Sequence, residues 1–173
     1  MKTKQVIVTI ALLIAGHHTY AQQMTVQQTH LAGLKADSLQ VAGLTAWIEF
    51  CLKQDTILFN AGTADLKEAT NTLSNMIKNG TSVTDQVAKF YVMGIQADES
   101  MISLYVSLYG SSYSKDEIMD EKAEDRKKKV TWNDQEYKLT SNSKERFKTL
   151  GGYLETVQKK QETDQKNYKK LYL

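Results

Sequence analysis

The sequence predicts an all-α protein, an antiparallel bundle of three to four long helices with a small β-hairpin as an appendage. Three observations carry that expectation. The 173 residues include no proline, so the chain lacks the punctuation on which many-turned sandwiches and barrels depend. Apolar residues recur at three- and four-residue steps over long stretches, the mark of a helix with one apolar stripe. The period drops to two in a single place, residues 130 to 139. A chain of this length suits one domain and is too short for two ordinary ones.

The N-terminal segment reads as an address. Lys2 and Lys4 precede an apolar run from Val6 to Gly16, and Thr19-Tyr20-Ala21 supplies a small-x-small cleavage context. The run is too short to span a bilayer about 30 Å thick. Residues 1–21 are therefore expected to be a signal peptide cut after Ala21, residues 22–173 a single helical-bundle domain, and the location periplasmic or secreted, with no stable membrane span after cleavage; retention as an N-terminal anchor is the alternative.

The first helix is expected from about residue 24 to the mid-fifties, with Leu31, Leu34, Ser38, Val41, Thr45, Ile48 and Leu52 on one stripe and Leu44, Trp47 and Cys51 widening it. Ala32-Gly33-Leu34-Lys35-Ala36 recurs as Ala42-Gly43-Leu44-Thr45-Ala46, and the small residues would let a neighbouring helix approach closely at about 1 kcal/mol of propensity per glycine. Asn60-Ala61-Gly62 reads as a turn, with Thr63 or Asp65 capping a short helix marked by Leu66, Ala69, Leu73 and Met76 and ending at Asn79-Gly80. A third helix, capped at Ser82 or Thr84 and closed by Gly110, carries a three-four stripe of Val87, Phe90, Gly94, Ala97, Met101, Leu104 and Leu108, read as its core face. Tyr91, Ile95, Ile102, Tyr105 and Tyr109 form a second apolar face, as in the central helix of a bundle.

Ser114 and Glu117 have capping-box spacing, and the helix expected after them is polar almost all round: Asp120, Glu121, Glu124 and Asp125, then Arg126, Lys127, Lys128 and Lys129. Glu124–Lys128 and Asp125–Lys129 would be favourable i,i+4 pairs on a solvated helix, and the basic run could touch phosphate or acidic lipid. In the hairpin, Val130 is expected opposite Leu139 and Trp132 opposite Tyr137, with Asn133 to Glu136 as the corner. Its rings either pack on the bundle or meet a partner. A last helix from Ser141 or Ser143 carries Phe147, Leu150, Leu154 and Val157, breaks or crosses a neighbour closely at Gly151-Gly152, and ends in a polar half from Gln158 that projects, frays or folds on a partner.

Charge and motifs exclude several functions. Of the 22 basic residues, Lys2 and Lys4 lie in the leader, which holds no acid, so the mature chain sets 20 bases against 20 acids. A neutral chain has no global source of the counterion-release term that drives nucleic-acid affinity. Cys51 is the only cysteine, so no intrachain disulfide forms, and the residue reads as a core thiol beside Leu44, Trp47 and Ile48. After the leader His30 is the only histidine. It is read as an exposed helix residue. A haem bundle would need it paired with Met76, Met93, Met101 or Met119. Nucleophile-elbow, dinucleotide, Walker, zincin and calcium-loop motifs are all missing. The expectation is a non-enzyme with no cofactor or metal.

The Ala21-Gln22 junction resembles those of exported Bacteroidota proteins. A cleaved leader followed by long glutamine-, lysine- and serine-rich helices with a small appendage resembles, in architecture, the periplasmic helical proteins of Bacteroidota conjugative (type IV) transfer systems, which are like minor pilus components. The resemblance implies a protein that works by protein–protein contact, with an envelope or transfer-apparatus protein as partner and homo-oligomerisation as a further option. Contact is expected through Trp132, Tyr137, Arg126, Lys127, Lys128 and Lys129, or along the polar half-helix from Gln158. The alternatives are a small ligand- or haem-binding bundle and a periplasmic chaperone-like protein.

Overall fold

Helix α1 (Val26–Lys53) starts at a capping box: Thr25 Oγ1 accepts from the Gln28 amide while Gln28 Oε1 accepts from the Thr25 amide. It stops where Gln54 turns to φ 55° and its N–H bonds back to the Phe50 carbonyl at 2.8 Å. Asp55 Oδ1 then accepts from the Ile57 amide, and α2 (Thr56–Asn79) begins at once. The chain thus turns at Gln54-Asp55, and Asn60-Ala61-Gly62, expected to be a turn, lies inside a helix. Gly62 serves packing: a Cβ there would stand 2.5 Å from Trp47 Cδ1 and 2.7 Å from the Gly43 carbonyl. Gly43 is bare for the same reason, since its Cβ would meet Leu66 Cγ at 2.7 Å and the Gly62 carbonyl at 2.9 Å. The close approach expected of the first helix's small residues occurs at Gly43, facing Gly62.

The computed structural model describes residues 25–79 and 86–173; the signal peptide expected over residues 1–21 and the caps expected at Ser82 or Thr84 fall outside them. After α2 come α3 (Gln86–Tyr109), α4 (Ser112–Met119), a 3-10 turn (Ala123–Asp125), strands β1 (Lys128–Trp132) and β2 (Gln135–Leu139), and α5 (Ser141–Tyr172). Helix α1 packs against α2 and α5, and α2 against α3. Contacts of α3 with α5 run in opposite chain directions, Tyr105 on Tyr153 and Asp98 on Lys160. The four long helices therefore form an up-and-down antiparallel bundle, with α4 and the hairpin inserted before the last helix. This is the all-α fold class that the periodicity predicts, completed by a hairpin in a two-stranded sheet.

The core gathers Leu44, Trp47, Ile48 and Cys51 of α1, Leu66, Ala69, Leu73 and Met76 of α2, and Leu150 and Leu154 of α5, each large apolar side chain contributing about 1.5–3 kcal/mol by burial. Trp47 is its pivot. The ring stacks on Phe59 and meets Tyr109 edge-on, while Nε1 donates to the Phe59 carbonyl and to Thr63 Oγ1. Cys51 is buried, and burial pushes its thiol up to about 12, so the core reading of this cysteine holds.

Helix α3 buries only the second of its two expected apolar faces. Ile95, Ile102 and Tyr105 are buried, whereas Met101, Leu104 and Leu108 are 49%, 49% and 53% exposed, and Gly94 and Ala97 are exposed beside them. Both faces are apolar, and period alone does not say which one meets α2 and α5. The polar helix expected from Ser114 to Lys129 is also different. Helix α4 is capped by Ser111, three residues early, and ends at Met119; Ser114 is buried within it, donating to the Leu108 carbonyl. Arg126 lies past the 3-10 turn and Lys128 opens β1, so the i,i+4 pairs expected on a helix have no helix to sit on.

The hairpin exists with a different register. Val130 pairs with Tyr137, Trp132 with Gln135 and Lys128 with Leu139, because only Asn133 and Asp134 form the corner. Both have left-handed φ, 48° and 63°, the conformation that a two-residue turn needs to match strand twist and that Asn and Asp tolerate. Val130, Trp132, Tyr137 and Leu139 still share one face. Helix α5 is capped by Thr140, whose hydroxyl accepts from the Ser143 amide, and runs unbroken through Gly151-Gly152. A Cβ on either glycine would meet nothing within 4 Å, so neither the break nor the close crossing expected there occurs within this chain. Its polar half lies along α1 instead of projecting.

Candidate functional site

The segment expected to carry contacts is largely used to hold the fold. Arg126 Nη2 donates to the Cys51 and Leu52 carbonyls at 3.0 and 3.1 Å, and its Nε donates to the Lys138 carbonyl at 2.9 Å. The guanidinium thus caps the C-terminus of α1, where unpaired carbonyls and the helix dipole favour a cation, and staples β2 to it. Gln54 adds a parallel tie by donating to the Ile118 carbonyl at 2.7 Å. Glu121 accepts from the hydroxyls of Thr140 and Ser143 at the start of α5, the end at which a carboxylate is favoured.

Trp132 meets Phe147 of α5 edge-on at 5.9 Å, and both Trp132 and Tyr137 are half-buried against the core. The hairpin's aromatic face is turned to the bundle. Tyr137 Oη donates to Gln135 Oε1 at 2.7 Å. Lys127 and Lys128 are exposed, and Lys129 pairs across the hairpin with Glu136 at 2.9 Å. Of the six residues singled out in this segment, three are exposed lysines. The arginine and the two rings are built into the body.

A second cluster, which the sequence reading missed, lies where α1, α3 and α5 meet. Lys160 Nζ stands 2.6 Å from Asp37 Oδ1, 3.0 Å from Asp164 Oδ2 and 3.3 Å from Asp98 Oδ2. Asp37 is 1% exposed; burial outweighs the bond from Lys160 and raises its carboxyl to about 6. For Lys160 the balance is reversed. Burial would lower its pKa, but its bond to Asp37 and the fields of Asp37, Asp98 and Asp164 raise it. The ammonium occupies the centre of the three carboxylates as a tethered cation. Among the described residues, no group of three or more His, Cys, Asp or Glu is placed to hold a metal ion. The signal was present in the sequence: Gly33, Asp37, Gln40, Leu44, Trp47 and Cys51 step by three and four, so Asp37 and Gln40 are polar positions within a core stripe.

Further along the same pair of helices Gln161 donates to Ser38, Gln27 donates to Tyr168, and His30 packs edge-on against Tyr172 at 5.7 Å. His30 is half-buried rather than exposed. Its partner in this contact is a tyrosine, and Met101 and Met119, two of the methionines named as haem partners, are exposed elsewhere on the surface.

The third feature is the outer face of α3. From Gly94 to Leu108 the only charged residues are Asp98 and Glu99, and both are turned into the body, Asp98 toward Lys160 and Glu99 accepting from Ser74. What remains outside is Gly94, Ala97, Met101, Leu104 and Leu108, flanked by Gln96, Ser100, Ser103 and Ser107. In a chain that is 24% charged, this exposed stripe of α3 carries no charge of its own, and Lys67 of α2 lies at its edge beside Ser103 and Ser107. Patches of this kind mark contact sites.

Comparison with protein-family models, with characterised proteins and with solved structures gives no match. The fold defines a class, an up-and-down helical bundle with an inserted hairpin. No helix among the described residues is long and apolar enough to cross a membrane.

Proposed function

We propose that this chain is exported and acts through protein–protein contact in the cell envelope, as a component of a transfer or envelope assembly, rather than as an enzyme. Export rests on the order of charged, apolar and small residues in the first 21 positions. Contact rests on one observation above the others, the apolar outer face of α3, which the described residues leave half-exposed at a cost in solubility. The hairpin's exposed Lys127, Lys128 and Lys129 add a basic edge to the same contact reading, while its rings and Arg126 bond within the fold.

Two measurements test the two parts. Intact mass of the protein from an exporting cell should correspond to a chain beginning at Gln22, with or without cyclisation to pyroglutamate; the full-length mass would overturn export. A photo-crosslinking amino acid at Leu104 should trap a protein in the cell envelope, and the same probe at exposed Asn142 should not. Equal labelling from the two positions would remove α3 as the contact face.

A further inference from the structure

We infer that the occupant of the α3 face is a second copy of this chain, paired antiparallel about Met101. The inference rests on the contact reading above and names its partner. The residues themselves encode the pairing. The exposed stripe runs from small to large, with Gly94 and Ala97 toward the N-terminal end and Leu104 and Leu108 toward the C-terminal end. A two-fold axis through Met101 sets Gly94 of one copy against Leu108 of the other and brings Ala97 within one residue of level with Leu104, with Met101 against itself. Every layer then holds one large and one small side chain, or two flexible methionines, as interdigitating helix faces require. A parallel pairing would put glycine on glycine and leucine on leucine, leaving a gap at one end and a crowd at the other.

Charge selects the same occupant. A face without charge is complementary to another face without charge, because a charged surface laid on it would lose its hydration with nothing in return. The chain's own α3 stripe is such a surface; Gln96 and the flanking serines bring neutral hydrogen-bonding groups, and the one charge beside those serines, Lys67 of α2, stands at the edge of the face. The glycine at position 94 points the same way. It sits in mid-helix with no positive φ and nothing within 4 Å of its missing side chain, so no contact among the described residues requires it, whereas an opposing Leu108 would. Covering the face in both copies removes on the order of 1,000 Å² from water, the lower edge of a specific interface. The dimer is accordingly weak and concentration-dependent.

Sedimentation velocity of the exported protein from micromolar to near-millimolar concentration should show a monomer passing to a dimer. Direction is read by single cysteines, since buried Cys51 leaves the engineered thiols to react alone. Under mild oxidation Met101→Cys should link to itself, and Ala97→Cys and Leu104→Cys should link only when the two variants are mixed. Leu104→Lys should weaken the dimer at least tenfold with unchanged circular dichroism; Ser100→Glu on the same face gives the same reading should the lysine variant fail to fold. A monomer at all concentrations, or self-linking of Ala97→Cys, overturns the inference. If the protein stays monomeric while the crosslinker at Leu104 traps a different envelope protein, self-pairing falls and the contact reading stands. If a dimer forms that Leu104→Lys leaves intact, the pairing lies on another face and the inference falls.

Discussion

The seam between α1 and α2 and the outer face of α3 both carry bare glycines on helices, and the two places give them opposite meanings. At the seam, Gly43 and Gly62 lie backbone to backbone, and any Cβ would strike Trp47, Leu66 or a carbonyl. On α3 a Cβ at Gly94 would enter open space. Each glycine in mid-helix costs about 1 kcal/mol relative to alanine. The seam recovers that cost through the contact it allows, and at Gly94 no described residue fills the space. Leucines divide the same way: Leu66 and Leu44 are buried, while Leu104 and Leu108 are half-exposed. A small residue or an apolar one is therefore a statement about a neighbour, and the described residues leave α3's outer face half-exposed.

Substitutions across that divide should differ most at adjacent positions of one helix. Ile102→Ala, on the buried side of α3, should cost about 2–5 kcal/mol in chemical denaturation, since Ile102 is 1% exposed. A loss below about 1 kcal/mol would show that α3 does not close the core.

Lys160→Met removes the cation that ties α3 and α5 to Asp37. It should cost about 3 kcal/mol at neutral pH, the low end for breaking a buried pair because Lys160 is partly solvated. The sign with pH is fixed by Asp37. Its folded pKa, about 6, lies above the value near 4 of an unfolded carboxylate, so the folded chain holds the proton longer, and this group's stability contribution is full at low pH and lost as pH rises from about 4 to about 6. The variant's deficit should accordingly be smaller at about pH 5 than at about pH 7.5, because a protonated Asp37 needs no cation. A deficit that grows on acidification would assign the effect to packing.

Gly62→Ala should cost about 1–3 kcal/mol by forcing the seam apart, read as a drop in melting temperature. The smallest effects belong to the outer face. Leu104→Ala, expected from period alone to cost as much as a core residue, should change stability by less than about 1 kcal/mol at concentrations where the chain is monomeric, and Gly94→Ala should stabilise by up to about 1 kcal/mol. If Gly94→Ala destabilises the monomer, the site is not open and the contrast between the two glycine classes fails.

Much of the bundle was legible from local rules. Leu66, Ala69, Leu73 and Met76 are buried as their spacing requires, Cys51 lies in the core beside Trp47 as its apolar neighbours imply, and the switch of period at 130–139 marks a real hairpin. The outer face of α3 was visible as residues and misplaced as core, because Met101, Leu104 and Leu108 satisfy the same three-four rule as the buried positions beside them. Asp37 and Lys160 are 123 positions apart, and no local pattern joins them.

Sequence by itself determined the helical class, the extent of α1, the existence of a hairpin and the neutrality of the chain from Gln22 onward, because each depends on propensity, period or composition over neighbouring residues. Tertiary structure decided which face of α3 turns inward, that Gly62 is a packing residue and not a turn, that Arg126 caps α1, and that a polar C-terminal half-helix finds its place along α1. Those outcomes depend on which elements lie side by side, and a helix with two apolar faces, a bare glycine or a lone arginine takes its role only from the surface brought against it.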